Sequence, residues 1–110
     1  MFIRILALAA IFAAAAASHA ARAQEAGDPE KGAAYAKQVC AQCHAVREGD
    51  NISPNPKAPG FEDIASTSGV TGISLAASLH SVHENMPAFV LSLGERDNLI
   101  AYILSLKRRH

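Results

Sequence analysis

Two cysteines and a histidine stand close together in the chain, in the stretch Cys40-Ala41-Gln42-Cys43-His44. Two thiols with two residues between them can each add to one vinyl group of a haem, and this forms two thioether bonds. A histidine that follows directly can present its imidazole to the iron as the proximal ligand. We therefore interpret Cys40, Cys43 and His44 as the attachment site of one covalently bound haem.

The same cysteine spacing has two other interpretations. A redox-active disulfide also uses two cysteines separated by two residues, but it normally lies beside a βαβ pattern, which this sequence lacks. A structural zinc ion needs four ligands, usually supplied as two pairs. Cys40 and Cys43 are the only cysteines in the chain, so zinc would have to recruit scattered histidines. The haem interpretation is preferred to both.

An iron bound by His44 has one axial position left, and three residues compete for it: Met86, His80 and His83. Pro87 disfavours helical geometry at the residue before it, so Met86 is expected in a loop that can close over the opposite face of the haem. Ligation by histidine and methionine raises the reduction potential relative to two histidines. We predict Met86 as the second ligand. His80, His83 and an open five-coordinate iron are the alternatives.

Residues 47–60 are rich in Gly, Asp, Asn, Ser and Pro and are predicted to form a loop. Proline has no backbone N–H, so a proline-rich loop has carbonyl groups to spare. The carbonyl of Pro59 can accept the second ring proton of His44, which would fix the imidazole and raise its basicity toward iron. The alternative is a rigid loop with no role at the haem.

Helical patterns fill most of the remainder. Asp28-Pro29-Glu30 combines a capping residue, a proline suited to the first helical position and an acidic residue near the positive end of the helix dipole. Ser92-Leu93-Gly94-Glu95 has the form of a capping box that opens the final helix. The predicted helices are residues 29–41, a short one that starts at Phe61 and packs its ring inward, 72–83, and 93–107.

The first 23 residues have the three parts of a secretory signal peptide. Arg4 is followed by an apolar run of 13 residues, Ile5 to Ala17, and then by small residues. That run is shorter than the roughly 20 apolar residues of a bilayer span. We expect a signal peptide at 1–23, cleaved after Ala23 or, as second choice, after Ala20, and one exported, periplasmic domain at 24–110.

The composition of residues 24–110 restricts the possible partners. These residues contain 8 Lys and Arg against 10 Asp and Glu, a net charge of 8 − 10 = −2, and haem propionates would add negative charge. Nucleic-acid binding calls for a basic surface, so it is not expected. A chain of 87 residues has a small apolar core, and a buried haem would offer its helices a large flat apolar surface.

These motifs resemble, in order and spacing, the class I c-type cytochromes, and most of all the small monohaem cytochromes of proteobacteria. The resemblance runs from Asp28 to Arg109. The segments that carry it are Cys40 to His44, Ala58-Pro59-Gly60-Phe61, Met86-Pro87-Ala88-Phe89 and the capped final helix.

The resemblance implies an all-α fold in which three to four helices pack around one haem, and the first and last helices cross near Gly32 and Tyr102. It implies His44 and Met86 as the axial ligands and a proline carbonyl bonded to the histidine. It implies an electron carrier rather than an enzyme, with no catalytic residues and with an oxidase, reductase or dehydrogenase as redox partner. Three alternatives remain: a subunit of a periplasmic dehydrogenase, a five-coordinate haem sensor or gas binder, and a thiol-disulfide protein.

Overall fold

The structure is a computed structural model that describes residues 26–81 and 85–108. Four α-helices and one short 3₁₀ helix make up the regular structure of these residues, and no strand occurs among them. The predicted all-α fold is therefore confirmed. The expected signal peptide and both cleavage positions lie outside the described residues, as does His83. The helices are α1 (Pro29–Val39), the 3₁₀ helix (Cys40–Gln42), α2 (Phe61–Ser66), α3 (Gly72–His80) and α4 (Leu93–Ser105).

Helix α1 begins where the Asp28-Pro29-Glu30 pattern predicts. The carboxylate of Asp28 accepts hydrogen bonds from the N–H groups of Glu30 (2.9 Å) and Lys31 (3.3 Å), and Pro29 occupies the first turn. The predicted end at Ala41 was two residues too late, because the chain tightens into the 3₁₀ helix at Cys40. A sequence pattern does not distinguish the last α-helical turn from a 3₁₀ turn.

Capping boxes begin both α3 and α4. The hydroxyl of Ser92 accepts from the N–H of Glu95 at 3.1 Å, and the Glu95 carboxylate accepts from the N–H of Ser92 at 2.8 Å, as predicted. Thr71 and Ser74 form an equivalent pair at α3. This pair was not predicted, because the residue three positions after the cap of a capping box is usually Glu or Gln rather than Ser. Helix α3 ends at His80, before the predicted residue 83.

Helices α1 and α4 cross at very short range, and this crossing is the framework of the fold. A Cβ atom added to Gly32 would lie 2.0 Å from the carbonyl oxygen of Asn98 and 2.8 Å from the Cβ atom of Tyr102. The N–H of Asp28 donates to the side-chain oxygen of Asn98 at 2.8 Å, beside the crossing. The crossing expected near Gly32 and Tyr102 is confirmed, and only glycine has room there.

The core is small and apolar. Leu99 is the only large side chain that is fully buried among the described residues, and Phe61 packs inward at 4% exposure, as predicted. Within residues 26–81 and 85–108, no helix combines the length and the apolar character needed to cross a membrane. The other buried apolar residues, mostly from α4 and from the segment after the cysteines, are Ala36, Ala45, Val46, Ala65, Leu75, Ile100, Ala101, Ile103 and Leu106.

Candidate haem-binding site

The 3₁₀ helix at the end of α1 gathers the two cysteines and the histidine into one turn. The carbonyl oxygen of Cys40 accepts hydrogen bonds from the N–H groups of Cys43 (3.1 Å) and His44 (2.9 Å). Both thiols are free; that of Cys43 is exposed and that of Cys40 is half-buried. The sequence spacing therefore becomes a compact group of two reactive sulfurs and one imidazole.

Burial makes one of the two thiols less acidic than a free cysteine. Burial raises the pKa of the Cys40 thiol to about 11. In a disulfide oxidoreductase the attacking cysteine has a lowered pKa, because its thiolate is the nucleophile in thiol-disulfide exchange. Cys40, whose thiol stays protonated at neutral pH, is therefore unsuited to be the attacking cysteine of a disulfide-exchange pair.

His44 is oriented by the proline-rich loop. Its Nδ1–H donates a hydrogen bond to the carbonyl oxygen of Pro59, with 2.7 Å between the two atoms. Its ring also lies against Phe61, with 5.4 Å between ring centroids and 50° between ring planes. Because Nδ1 carries the proton in this bond, Nε2 keeps its lone pair and is the nitrogen that can bind a metal ion.

The backbone on both sides of His44 is bonded to the loop. The N–H of Asn55 donates to the carbonyl oxygen of Cys43 at 3.1 Å. The N–H of Ala45 donates to the hydroxyl of Ser53 at 2.9 Å. These two bonds attach the residues before and after His44 to one stretch of loop, so the imidazole has a fixed base.

Two helices complete the support of this segment. The N–H of Phe61, the first residue of α2, donates to the carbonyl oxygen of Ala45 at 2.8 Å. The hydroxyl of Tyr102, on α4, donates to the carbonyl oxygen of Val46. The resemblance predicted Tyr102 at the helix crossing but not the role of its hydroxyl, because a bond between residues 56 positions apart has no local sequence signal.

Met86 lies in the non-helical segment before α4, where Pro87 predicts it, and is half-buried. No hydrogen bond or ring contact joins it to His44 in the part of the chain that the structure describes. Its competitor His80 is the exposed last residue of α3. The structure thus brings Cys40, Cys43, His44 and Pro59 together, and holds Met86 on a separate segment.

These residues fit a covalently bound haem. The donor set consists of two free thiols at the attachment spacing and an imidazole that has one nitrogen engaged and one available. In addition, several large apolar side chains are exposed. They are Ile52, Ile73, Phe89, Val90 and Leu93.

Fold and site together define a helical protein of the c-type haem class. The family model described as Cytochrome c matches residues 29–107. The chain is 34% identical over 107 residues to the protein named cytochrome c-552 from Bradyrhizobium diazoefficiens, a match that covers 97% of this chain and 99% of that protein. A shorter match, 46% identical over 35 residues, links it to cytochrome c of Theileria annulata and covers 32% of this chain and 30% of that protein. No solved structure matches the chain at a significant level.

The chain belongs to the cytochrome c family. Its cofactor is haem c, attached through the thiols of Cys40 and Cys43. Proteins of this family carry electrons between redox partners.

Proposed function

We propose that the protein is a periplasmic electron carrier with one haem, whose iron is bound by His44 on one side and Met86 on the other. The observation that supports this most directly is the 2.7 Å hydrogen bond from His44 Nδ1–H to the carbonyl oxygen of Pro59. Metal-bound histidines usually donate their other ring N–H to a carbonyl or carboxylate, which fixes the tautomer and strengthens the ligand.

When bound, the haem supplies an iron that gains and loses one electron. The task of the chain is to hold the ligands still while the charge changes. The backbone on both sides of His44 is restrained by four hydrogen bonds. It accepts three, from Asn55, Phe61 and Tyr102, and donates one to Ser53. A ligand set that barely moves keeps the reorganisation on electron transfer small. No acid, base or nucleophile is required for this function.

Met86 suits the second axial position because it stands in a non-helical segment and is only half-buried. A thioether ligand stabilises the reduced iron relative to a second imidazole, and so raises the reduction potential. A carrier that accepts electrons in an exported chain requires such a potential.

Replacement of the ligand tests this proposal. We expect Met86→Ala to lower the reduction potential and to abolish the sulfur-to-iron charge-transfer band of the oxidised protein at the red end of the visible spectrum. The matched control is His80→Ala, which removes the competing ligand and should leave both properties unchanged. If His80→Ala loses low-spin iron while Met86→Ala keeps it, the second axial ligand is His80. A wild-type protein that is five-coordinate would favour a gas binder or sensor.

Export is the second part of the proposal, and residues 1–23 carry it. The near full-length match to a bacterial cytochrome c-552 supports it, because c-type cytochromes of bacteria are exported. N-terminal sequencing of the purified haem protein should begin at Gln24, or at Ala21 if the second cleavage position is used. A mature protein that begins at Met1 would contradict the signal-peptide assignment.

A further inference from the structure

Arg108 makes contacts with a helix other than the one that it follows. It follows the end of α4, where cations are generally expected to interact with the helix dipole. Instead, its guanidinium lies 3.1 Å from the carboxylate of Asp63 and 3.7 Å from that of Glu62, both on α2. Its backbone N–H also donates to the hydroxyl of Ser66, at the other end of α2, at 3.1 Å. Three contacts therefore fasten α2 to the C-terminal segment.

Glu62 extends this connection to the loop beside the histidine. One of its carboxylate oxygens faces Arg108, and the other accepts a hydrogen bond from the N–H of Gly49 at 2.7 Å. Its side chain is only 13% exposed, against 45% for Arg108. Arg108 thus meets an acidic side chain that is already committed to the proline-rich loop, and the three groups form a network rather than an isolated surface pair.

Helix α2 in turn determines where the Pro59 carbonyl lies. Pro59 is separated from Phe61, the first residue of α2, by Gly60 alone. Two hydrogen bonds link these residues to the histidine segment: His44 Nδ1–H to the Pro59 oxygen, and Phe61 N–H to the Ala45 oxygen. Because both bonds join the same two stretches of chain, a shift of α2 must change the length of the bond that His44 makes.

We propose that Arg108 is a positioning residue for the proximal histidine: by holding α2 in place, it maintains the hydrogen bond between His44 and Pro59 and thereby keeps the reduction potential lower than it would be without that bond. The inference rests on the proposed ligation of iron by His44. A strong bond to Pro59 makes the imidazole a better electron donor, which favours the oxidised iron. Loss of Arg108 weakens that bond, so the potential rises.

The sign of this effect separates positioning from simple electrostatics. Removal of a positive charge by itself favours the oxidised, more positive iron and lowers the potential. Arg108→Gln is the test, and Lys107→Gln is the matched control. Lys107 is the adjacent residue, it is exposed, and its side chain forms no ion pair within the described residues. The control therefore removes the same charge at almost the same place without disturbing α2.

Two measurements on the haem-loaded proteins decide the question. The first is the hydrogen-exchange rate of the His44 Nδ1 proton, read by NMR. Arg108→Gln should accelerate this exchange up to about fivefold, the largest factor that an exposed ion pair of ordinary strength supports, and Lys107→Gln should not. The second is the reduction potential, which should rise in Arg108→Gln and stay level or fall in Lys107→Gln.

A potential that falls equally in both variants, or an unchanged exchange rate in Arg108→Gln, would overturn the positioning role and leave the electron-carrier proposal intact. A wild-type protein whose His44 signals show no bound iron would instead refute the ligation on which both proposals rest.

Discussion

Tyr102 connects the crossing of α1 and α4 to the segment that carries His44. Its Cβ atom borders the helix crossing at Gly32, and its hydroxyl donates to the carbonyl oxygen of Val46, two residues after His44. A single side chain therefore connects the α1–α4 framework to the segment that presents the imidazole. Its ring serves packing and its hydroxyl serves position, so the two roles can be separated by mutation.

Tyr102→Phe keeps the ring and removes the hydroxyl. We expect the free energy of unfolding to fall by about 1 kcal/mol, since the Val46 carbonyl loses its partner. Guanidinium denaturation measures the change. Tyr35→Phe is the control, because the hydroxyl of Tyr35 makes no hydrogen bond to another residue of the described chain; its effect should be close to zero. Equal losses in the two variants would show that the bond to Val46 contributes nothing.

The same residue predicts how stability depends on pH. Burial raises the pKa of Tyr102 above its ordinary value near 10, and Glu48 adds to this while the positive charge of Arg47 opposes it. A raised pKa means that the folded state favours the neutral hydroxyl. The contribution of the neutral Tyr102 hydroxyl to the free energy of unfolding is complete below about pH 10, and it is lost as the pH rises through the folded-state pKa.

Denaturation series between about pH 9 and 11 test this dependence. The free energy of unfolding should fall more steeply with pH in the wild type than in Tyr102→Phe. Burial also raises the pKa of Tyr35, but that residue is present in both proteins, so its contribution cancels in the comparison. Parallel curves would mean that Tyr102 titrates alike in the folded and unfolded chains.

At the scale of elements, the fold depends on how closely α1 approaches α4. Gly27 and Gly32 both face the backbone of α4, and a Cβ atom at either position would lie 2.0 Å from a carbonyl oxygen. Backbone cannot move aside as a flexible side chain does. The crossing therefore requires two glycines on one face of the N-terminal segment, at a distance fixed by main-chain contact.

Gly32→Ala should separate these helices. We expect a loss of at least about 1–3 kcal/mol in the free energy of unfolding, the usual penalty of overpacking, although alanine is intrinsically the better helix former. Gly94→Ala is the matched control within α4, because no atom lies within 4 Å of the added Cβ. It should be neutral or stabilising by up to about 1 kcal/mol. Thermal denaturation should show a lower midpoint for Gly32→Ala and an equal or higher one for Gly94→Ala; a Gly32→Ala protein as stable as the wild type would contradict the described crossing.

The local signals of the sequence predicted the elements well. Asp28-Pro29 placed the start of α1, the Ser92–Glu95 pair placed the start of α4, and Pro87 kept Met86 out of a helix. Each of these is a contact between residues at most a few positions apart, which is why the order of residue types can report it. The cysteine spacing belongs to the same group.

The remaining features depend on distant parts of the chain and could not be predicted in this way. Ser53 supports Ala45, and Arg108 binds α2 from 45 positions away. A serine in a loop and an arginine near a helix end have many possible partners, and only the packed structure selects one. The residues alone left two interpretations of the proline-rich loop: a hydrogen bond from His44 to Pro59, or a rigid loop with no role at the haem. The resemblance to a known family favoured the hydrogen bond.

At the scale of the whole molecule, the described residues form only a small apolar interior. Only one large side chain is fully buried among the described residues, while Ile52, Ile73, Val90 and Leu93 are each more than two-thirds exposed. A domain of this size commonly relies on a cofactor as part of its core. In a family whose cofactor is covalently attached, the haem is therefore a structural element as well as the redox centre.

Cys40 and Cys43 each form a thioether bond to one haem, directly before the histidine that we propose as the ligand of its iron. The most direct test is the absorption spectrum of the reduced, denatured protein in alkaline pyridine, which reports how many vinyl groups the haem has lost. We expect the α band at the position of a haem with two thioether bonds, at one haem per chain. A band at the position of haem with free vinyl groups, or no band after expression in a host that assembles c-type cytochromes, would contradict it.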